Sequence, residues 1–204
     1  MLAHPAQAPT VLTSPPWTIS AVTPSSLPET SAFINTSRRT LFPSLGHDTL
    51  LDDPAVLATS HILVAREETG TVIAAVAYVP FDYRFPHLPR PVGCASAPSA
   101  PCSANSSSSS LDLPISSPPT PACKIVEVVR LFVLPQYRRR GLAAALFQSL
   151  QEHASASGVQ CMYLHTHPFL PGAIGFWEKQ GFELIGVDCE DRVWRTHHFW
   201  KKLR

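Results

Sequence analysis

The sequence predicts an α/β fold in which helices flank a mixed β-sheet. Apolar and β-branched runs alternate with amphipathic segments of helical length, most regularly after Lys124. The chain has 204 residues and a hydrophobic content of 45%, which is enough for one core of ordinary size. Because helices must bury their apolar stripes against the sheet, this alternation indicates a layered α/β domain.

The first half of the domain predicts a strand, a helix and a hairpin. Residues 17–22 alternate as a strand does, and Thr23 or Ser25 is expected to cap a helix that runs towards residues 38 and 39. The runs 61–66 and 71–79 flank the turn signal 68–70, which is typical of an antiparallel hairpin. Pro80 is expected to end the second strand because it has no N–H group for a ladder.

The second half predicts strands and helices in alternation. In order they are a strand at 124–134, a helix at 141–157, a strand at 160–165, a helix at 172–180 and strands at 182–187 and 192–200.

Two segments have a composition that does not support a packed core. Residues 1–16 are predicted to form a disordered arm. In the second segment, 91–122, 17 of the 32 residues are Pro or Ser and none is aromatic. The second segment predicts a disordered loop within a single domain that spans 17–204, since the cost of closing a loop grows slowly with its length.

Charge and cysteine content narrow the function classes. A net charge of +1 provides no overall field for nucleic acid or an anionic membrane, so neither partner is predicted. The five cysteines include no CxxC pair, which favours reduced thiols over a disulfide framework or a zinc site. With no signal-peptide pattern at the start, the sequence predicts a cytoplasmic protein.

The most informative segment lies between the strand at 124–134 and the helix at 141–157. Pro135 ends the strand, and three consecutive arginines precede Gly141. The N–H groups and positive dipole end of a helix N-terminus favour a phosphate, and small residues allow its close approach. A surface or nucleic-acid patch is the alternative, but the position of the arginines between strand and helix favours an anion site.

This segment resembles the R/Q-x-x-G-x-G/A signature of the GNAT acyltransferases. Residues 173–182 (AIGFWEKQGF) are similar to that family's A-x-x-F-Y-x-x-x-G-F helix and following strand. The resemblance implies a mixed sheet that is splayed open after a bulge in the strand 124–134. It also implies that acetyl-CoA is the co-substrate and that the pantetheine arm lies in the gap. The residues assigned to the cofactor are Leu131, Phe132, Val133, Arg138, Arg139, Arg140, Gly141, Leu142, Ala143 and Phe176.

The resemblance implies an N-acetyltransferase in which an amine attacks the thioester directly in a ternary complex. Glu127 matches an acidic position of many members and is the predicted catalytic base. Alternation places it on the face of Val129 and Leu131, and burial is expected to raise the pKa of its carboxyl group. The alternative for Glu127 is an ion pair with an arginine.

The proton donor for the departing thiolate is left open by the sequence. Trp177 stands where many relatives have tyrosine, and an indole N–H does not ionise usefully. Either water or another group protonates the thiolate, or Trp177 packs beside the pantetheine.

Four side chains are candidates for the acceptor site, namely Tyr78, Tyr83, His165 and His167. The histidines end a strand near the expected gap, and the tyrosines belong to an aromatic stripe; core packing is the alternative for the stripe. No carboxylate or cysteine stands near His165, His167, His197 and His198 at ligand spacing, so no metal is predicted.

The sequence therefore predicts transfer of an acetyl group to an amine, with a small molecule as acceptor and a monomer or homodimer as the active unit. A non-catalytic acyl-CoA-binding protein and a peptide N-acetyltransferase are the alternatives.

Overall fold

The computed structural model describes residues 16–43, 53–89, 123–190 and 192–203. The predicted arm and the predicted insertion at 91–122 lie outside the described residues, apart from Pro16. The elements are β1 (Trp17–Ala21), α1 (Leu27–Leu41), α2 (Pro54–Thr59), β2 (His61–Glu67), β3 (Val72–Pro80), β4 (Ile125–Val133), α3 (Leu142–Ala156), β5 (Cys161–Thr166), α4 (Ala173–Lys179), β6 (Glu183–Val187) and β7 (His197–Lys202).

The strands form one open, mixed sheet in the order β1-β2-β3-β4-β5-β7-β6. Strands β1 to β4 pair antiparallel in sequence order, β5 adds parallel to β4, and β7 lies antiparallel between β5 and β6. This arrangement confirms the predicted class of mixed sheet with flanking helices. None of the helices in the described ranges is long and apolar enough to cross a membrane.

A β-bulge interrupts the pairing of β3 with β4. Ala77 pairs with Val129 and Ala75 with Phe132, so Arg130 and Leu131 together oppose one residue of β3. Arg130 takes a positive φ of 59°, which is typical of backbone that must bend locally. The bulge bends the strand that borders the predicted cofactor gap.

The bulge also reverses which residues face each side of β4. Val129 packs with the cluster beneath α1, whereas Leu131 packs with the cluster beneath α3. The prediction that Glu127, Val129 and Leu131 share one face is therefore wrong for Leu131. One inserted residue shifts a two-residue repeat out of phase, so every later side chain changes sides.

The core lies on both faces of the sheet. Leu142, Leu146 and Leu150 of α3 pack on one face with Trp177 of α4. The other face is covered by α1 over β2 and β3, and by residues 81–89 over β5 and β7. These three leucines are buried, as expected for the apolar stripe of a helix that packs on a sheet.

Three local predictions need correction. The residue that precedes α1 is Ser26 rather than Thr23 or Ser25, and its Oγ accepts a hydrogen bond from Thr23 N–H at 3.0 Å. Helix α2 was not predicted, although Asp53 caps it by accepting from Ala55 N–H at 2.8 Å. Strand β7 begins at His197, later than predicted, because Arg195 has a φ of 43° that extended backbone does not adopt.

Cysteine states also differ from the expectation. Within the described ranges Cys161 and Cys189 are free thiols, whereas Cys123 is disulfide-bonded. The expectation of reduced thiols is therefore wrong for Cys123. Spacing in the sequence carries no information on which cysteines the fold brings within bonding distance.

Candidate functional site

The loop between β4 and α3 is held in place by contacts of its own side chains. A 3-10 turn covers Pro135–Tyr137, and the Tyr137 hydroxyl donates a hydrogen bond to the Glu67 carboxylate on β2. Arg138 Nε donates to the Val133 carbonyl at 2.9 Å. These contacts tie the arginine run to the end of β4, where the strand leaves the sheet.

The start of α3 presents backbone N–H groups. Its first helical hydrogen bond runs from Ala145 N–H to the Gly141 carbonyl at 3.0 Å. The N–H groups of Leu142, Ala143 and Ala144 precede that bond and have no acceptor within the helix. Gly141 has a φ of 84°, and a Cβ atom built there meets no atom within 4 Å. This end of the helix is therefore open to an anion, which the dipole and the arginines favour.

The sheet opens beside this loop. Strands β4 and β5 pair only from Ile125 with Cys161 to Glu127 with Tyr163. Beyond Glu127, β4 pairs with β3 alone among the described strands, and β5 pairs with β7 alone. The gap that the family resemblance implied is thus present between the two strands.

Glu127 lies at the closed end of this gap and is 1% exposed. Its Oε1 is 2.5 Å from Arg84 Nη2 and 3.0 Å from His165 Nδ1. Its Oε2 is buried and has no hydrogen-bond partner among the described residues. Glu127 therefore forms the ion pair with an arginine that was the alternative for this residue. His165 lies beside the same oxygen.

The pKa of Glu127 differs from the expectation. Burial raises this pKa, but the interactions with His165 and Arg84 together lower it by more than burial raises it. The pKa therefore lies below the ordinary value of 4.5. The expectation of a raised pKa was wrong because the two partners of the carboxylate, Arg84 and His165, come from distant parts of the sequence. Glu127 is therefore a carboxylate at neutral pH.

His165 is more accessible than Glu127. Its side chain is 30% exposed, against 1% for Glu127. It lies two residues beyond the last β4–β5 pair, at Tyr163, and so borders the opening. Phe85 packs against the imidazole with ring centroids 5.8 Å apart.

The other predicted acceptor residues separate into different environments. Tyr78 is buried on the α3 face, where its hydroxyl lies 3.0 Å from His153 Nδ1. Tyr78 pairs with Val128, and both pack in the core on the face opposite to Glu127, which fits the alternative of core packing. Tyr83 is 42% exposed and lines a cavity of about 110 Å³ together with Phe81 and Trp200.

His167 belongs to an aromatic cluster formed by Phe42, His167, Phe169 and Trp194. The His167 and Phe169 rings stack at 5.2 Å, and Trp194 lies 5.0 Å from the imidazole. The cluster combines the end of α1 with two loops that follow β5 and β6. His165 connects it to the Glu127 group, since the two imidazoles lie 5.9 Å apart.

Trp177 is a core residue. It is 7% exposed and packs edge-on against Phe147 and Phe182, with centroids 5.5 and 5.4 Å away. Neighbouring Phe176 is only partly buried and lies at the border of the same cluster. The structure thus gives Trp177 a packing role in the core, and its placement beside the pantetheine stays a prediction.

Sequence reasoning missed Arg84 and three members of the aromatic cluster. Arg84 lies 43 positions before Glu127, and no local periodicity connects the two. Phe42, Phe169 and Trp194 come from three separate connections. The only available signal for Arg84 was its place within the aromatic stripe that follows β3.

The comparisons with known proteins agree with the family that the sequence resembles. The model of the acetyltransferase (GNAT) family matches residues 29–182. The chain is 38% identical over 79 residues to the uncharacterized N-acetyltransferase YjgM of Escherichia coli K12, a match that covers 35% of this chain and 47% of that protein. It is 35% identical over 82 residues to an uncharacterized N-acetyltransferase of Bacillus pumilus, which covers 37% and 46%. The matched regions thus span about half the length of these relatives.

Solved structures show the same fold. Arabidopsis thaliana NAA60 in complex with a bisubstrate analogue aligns with a TM-score of 0.63 at 15% identity, over 92% of this chain and 99% of that one. An acetyltransferase of the GNAT family from Staphylococcus aureus aligns with a TM-score of 0.62 at 13% identity, over 92% and 99%. From the match of the family model over most of its length, the chain belongs to the GNAT acetyltransferase family.

Proposed function

We propose that this protein transfers the acetyl group of acetyl-CoA to the amine of a small molecule within a ternary complex. The observation that carries the proposal is the buried Glu127, which lies beside His165 where β4 and β5 separate. The start of α3, which is proposed to bind an anion, follows the loop at the end of β4. Together they support a proton acceptor and a cofactor site at one opening of the sheet.

The residues of the gap fit acetyl-CoA. The N–H groups of Leu142 and Ala143 and the charges of Arg139 and Arg140 would bind the pyrophosphate. The backbone of residues 131–133 would bind the pantetheine arm, because it pairs with β3 alone among the described strands. Phe176 of α4 packs against the same core cluster as Leu131 and Val133. The acetyl-CoA supplies the thioester that the amine attacks.

His165 is proposed to take the proton of the acceptor ammonium, and Glu127 to hold and stabilise the resulting imidazolium. The lowered pKa makes Glu127 a weak base by itself but a good anionic partner for a histidine. Its burial leaves the more exposed imidazole as the group that an acceptor reaches. The base predicted at Glu127 thus acts through its neighbour.

The reaction then balances without a covalent enzyme intermediate. The amine nitrogen attacks the thioester carbon, the C–S bond breaks, and an amide and a CoA thiolate result. One proton of the ammonium passes to His165 before the attack, and the nitrogen releases a second proton to solvent as the amide forms. Solvent protonates the thiolate, since the Trp177 indole packs in the core and does not ionise.

The aromatic cluster supports a small acceptor that carries an apolar group. Its rings lie beside His165 on one side of the opening. Such rings bury a flat apolar body, and their faces attract an ammonium group. A peptide acceptor stays an alternative outcome of the test.

A non-catalytic acyl-CoA-binding protein is the second candidate. Two features favour it. Glu127 is held in an ion pair with Arg84, and residue 177 is a tryptophan, so neither side chain exchanges protons freely. In that case the helix end binds acetyl-CoA but the Glu127–His165 pair only stabilises the sheet.

A screen of amines separates these functions. Purified protein is incubated with acetyl-CoA and single amines or short peptides, and the released CoA thiol is measured, while calorimetry follows acetyl-CoA binding. We expect Glu127→Gln and His165→Gln to keep binding and to lose roughly 100-fold or more in turnover, the usual scale of acid-base catalysis. His197→Gln, on the adjacent strand, is the matched control. Binding without turnover of any amine supports the second candidate, and absence of binding overturns both.

A further inference from the structure

We propose that His87, Asp188 and His198 form a binding site for a divalent transition-metal ion, with Zn²⁺ as the best fit. The three side chains meet on the sheet face that carries residues 81–89. His87 comes from this segment, Asp188 directly follows β6, and His198 lies in β7. The sequence predicted no metal because no carboxylate stands near the histidines at ligand spacing, and the fold brings Asp188 to His198 instead.

The distances suit a metal ion. His87 Nε2 is 3.0 Å from Asp188 Oδ1, and His198 Nε2 is 3.1 Å from Asp188 Oδ2. All three donor groups lie within 4.8 Å of one another. Zinc binds imidazole nitrogen and carboxylate oxygen at about 2.0–2.2 Å in tetrahedral geometry, so its ligands lie roughly 3.3 Å apart. Closing the two imidazoles to that spacing requires a small movement of His87, which is 55% exposed.

A second observation concerns the fully buried imidazole of His198. Its Nε2 lies 3.1 Å from Asp188 Oδ2 but has no hydrogen-bond partner among the described residues. Its Nδ1 lies 2.6 Å from the Tyr163 hydroxyl. A neutral imidazole that donates Nδ1–H to Tyr163 leaves the Nε2 lone pair for a metal. Histidine ligands in metalloproteins typically use their second nitrogen in this way.

A simple ion pair accounts for the arrangement less completely. It would place a protonated imidazole in a fully buried position, and burying an incompletely hydrogen-bonded charge is costly. Two imidazoles and one carboxylate are a typical zinc ligand set, and the exposure of His87 leaves a fourth position for water.

Metal binding at this site would bear on the segment 81–89. Arg84 of that segment contacts Glu127, and His87 joins it to Asp188. A metal ion shared by His87, Asp188 and His198 would therefore fasten this segment to β6 and β7. The binding itself does not depend on the acetyltransferase proposal.

The test is direct metal titration of the full chain without a polyhistidine tag. After treatment with a chelator, Zn²⁺ binding is measured by calorimetry, and Co²⁺ is added separately as a spectroscopic probe of tetrahedral coordination. We expect one ion per chain with a micromolar or lower Kd. His87→Ala and Asp188→Asn should each weaken binding at least tenfold. Tyr163→Phe should weaken it roughly 10- to 100-fold, the range seen on loss of outer hydrogen bonds.

The control is His197→Ala, which removes a neighbouring histidine and should leave the Kd unchanged. Circular dichroism verifies that each variant is folded, and the exposed His87 provides a variant that does not disturb the core. Equal affinity of wild type and both ligand variants would show adventitious binding elsewhere and overturn the proposal. Absence of binding to the folded wild type would do the same.

Discussion

Replacement of Gly141 by glutamate tests the anion site at the start of α3. A Cβ atom at this position meets no atom within 4 Å, so the side chain has space but adds a negative charge where the pyrophosphate is proposed to bind. Two unit charges about 5 Å apart interact by about 3 kcal/mol at an effective dielectric constant of about 20. Because about 1.4 kcal/mol corresponds to tenfold in affinity, the Kd for acetyl-CoA should rise roughly 100-fold.

The chain offers a matched control at the other end of the same helix. Gly158 has a φ of 75° and equally open surroundings, against 84° at Gly141, so glutamate meets a similar backbone penalty at either site. The helix has 15 residues, and its ends lie about 22 Å apart at about 1.5 Å per residue. That distance exceeds the screening length of about 8 Å at physiological salt. Gly158→Glu should therefore leave acetyl-CoA binding unchanged.

Calorimetric titration with acetyl-CoA is the assay, and thermal unfolding checks that both variants fold. Gly141→Gln has the same bulk without the charge and isolates the electrostatic part, which should diminish as salt increases. If Gly141→Glu binds as tightly as Gly158→Glu, the pyrophosphate does not bind at this helix end and the reasoning is refuted.

Three further predictions follow from burial and charge. Arg84→Gln should raise the pKa of Glu127. Because that carboxylate stabilises the fold only while ionised, the melting temperature of the variant should start to fall at a higher pH than that of wild type when the pH is lowered. An unchanged dependence of the melting temperature on pH would contradict the ion pair. Trp177→Ala should lower the free energy of unfolding by about 3–5 kcal/mol in urea titration, whereas a loss below about 1 kcal/mol would argue against core packing. Burial raises the pKa of the Cys161 thiol to about 11. After treatment with iodoacetamide at pH 8, peptide mapping should therefore find Cys161 unmodified and the exposed Cys189 alkylated. Similar alkylation rates of the two cysteines would refute the burial of Cys161.

Local patterns in the sequence predicted the order and type of most elements. Apolar periodicity identified α3 and the buried strands, because helices and strands repeat their buried side chains at different intervals. The proline and glycine that bracket the arginine run indicated both ends of the loop before α3. The family resemblance, which depends on that loop and on α4, implied the splayed sheet that the β4–β5 pairing shows.

The chemistry around Glu127 was decided by the tertiary structure. Arg84 and His165 reach Glu127 from a loop and from a parallel strand, and together they lower a pKa that burial alone would raise. A bulge at Arg130 turned the Leu131 side chain to the other face of the sheet. The fold also brought Asp188 close to His198. The physical reason is common to these cases: periodicity reports which face of one element is buried, whereas pKa values and ligand sets depend on distances between elements far apart in the chain.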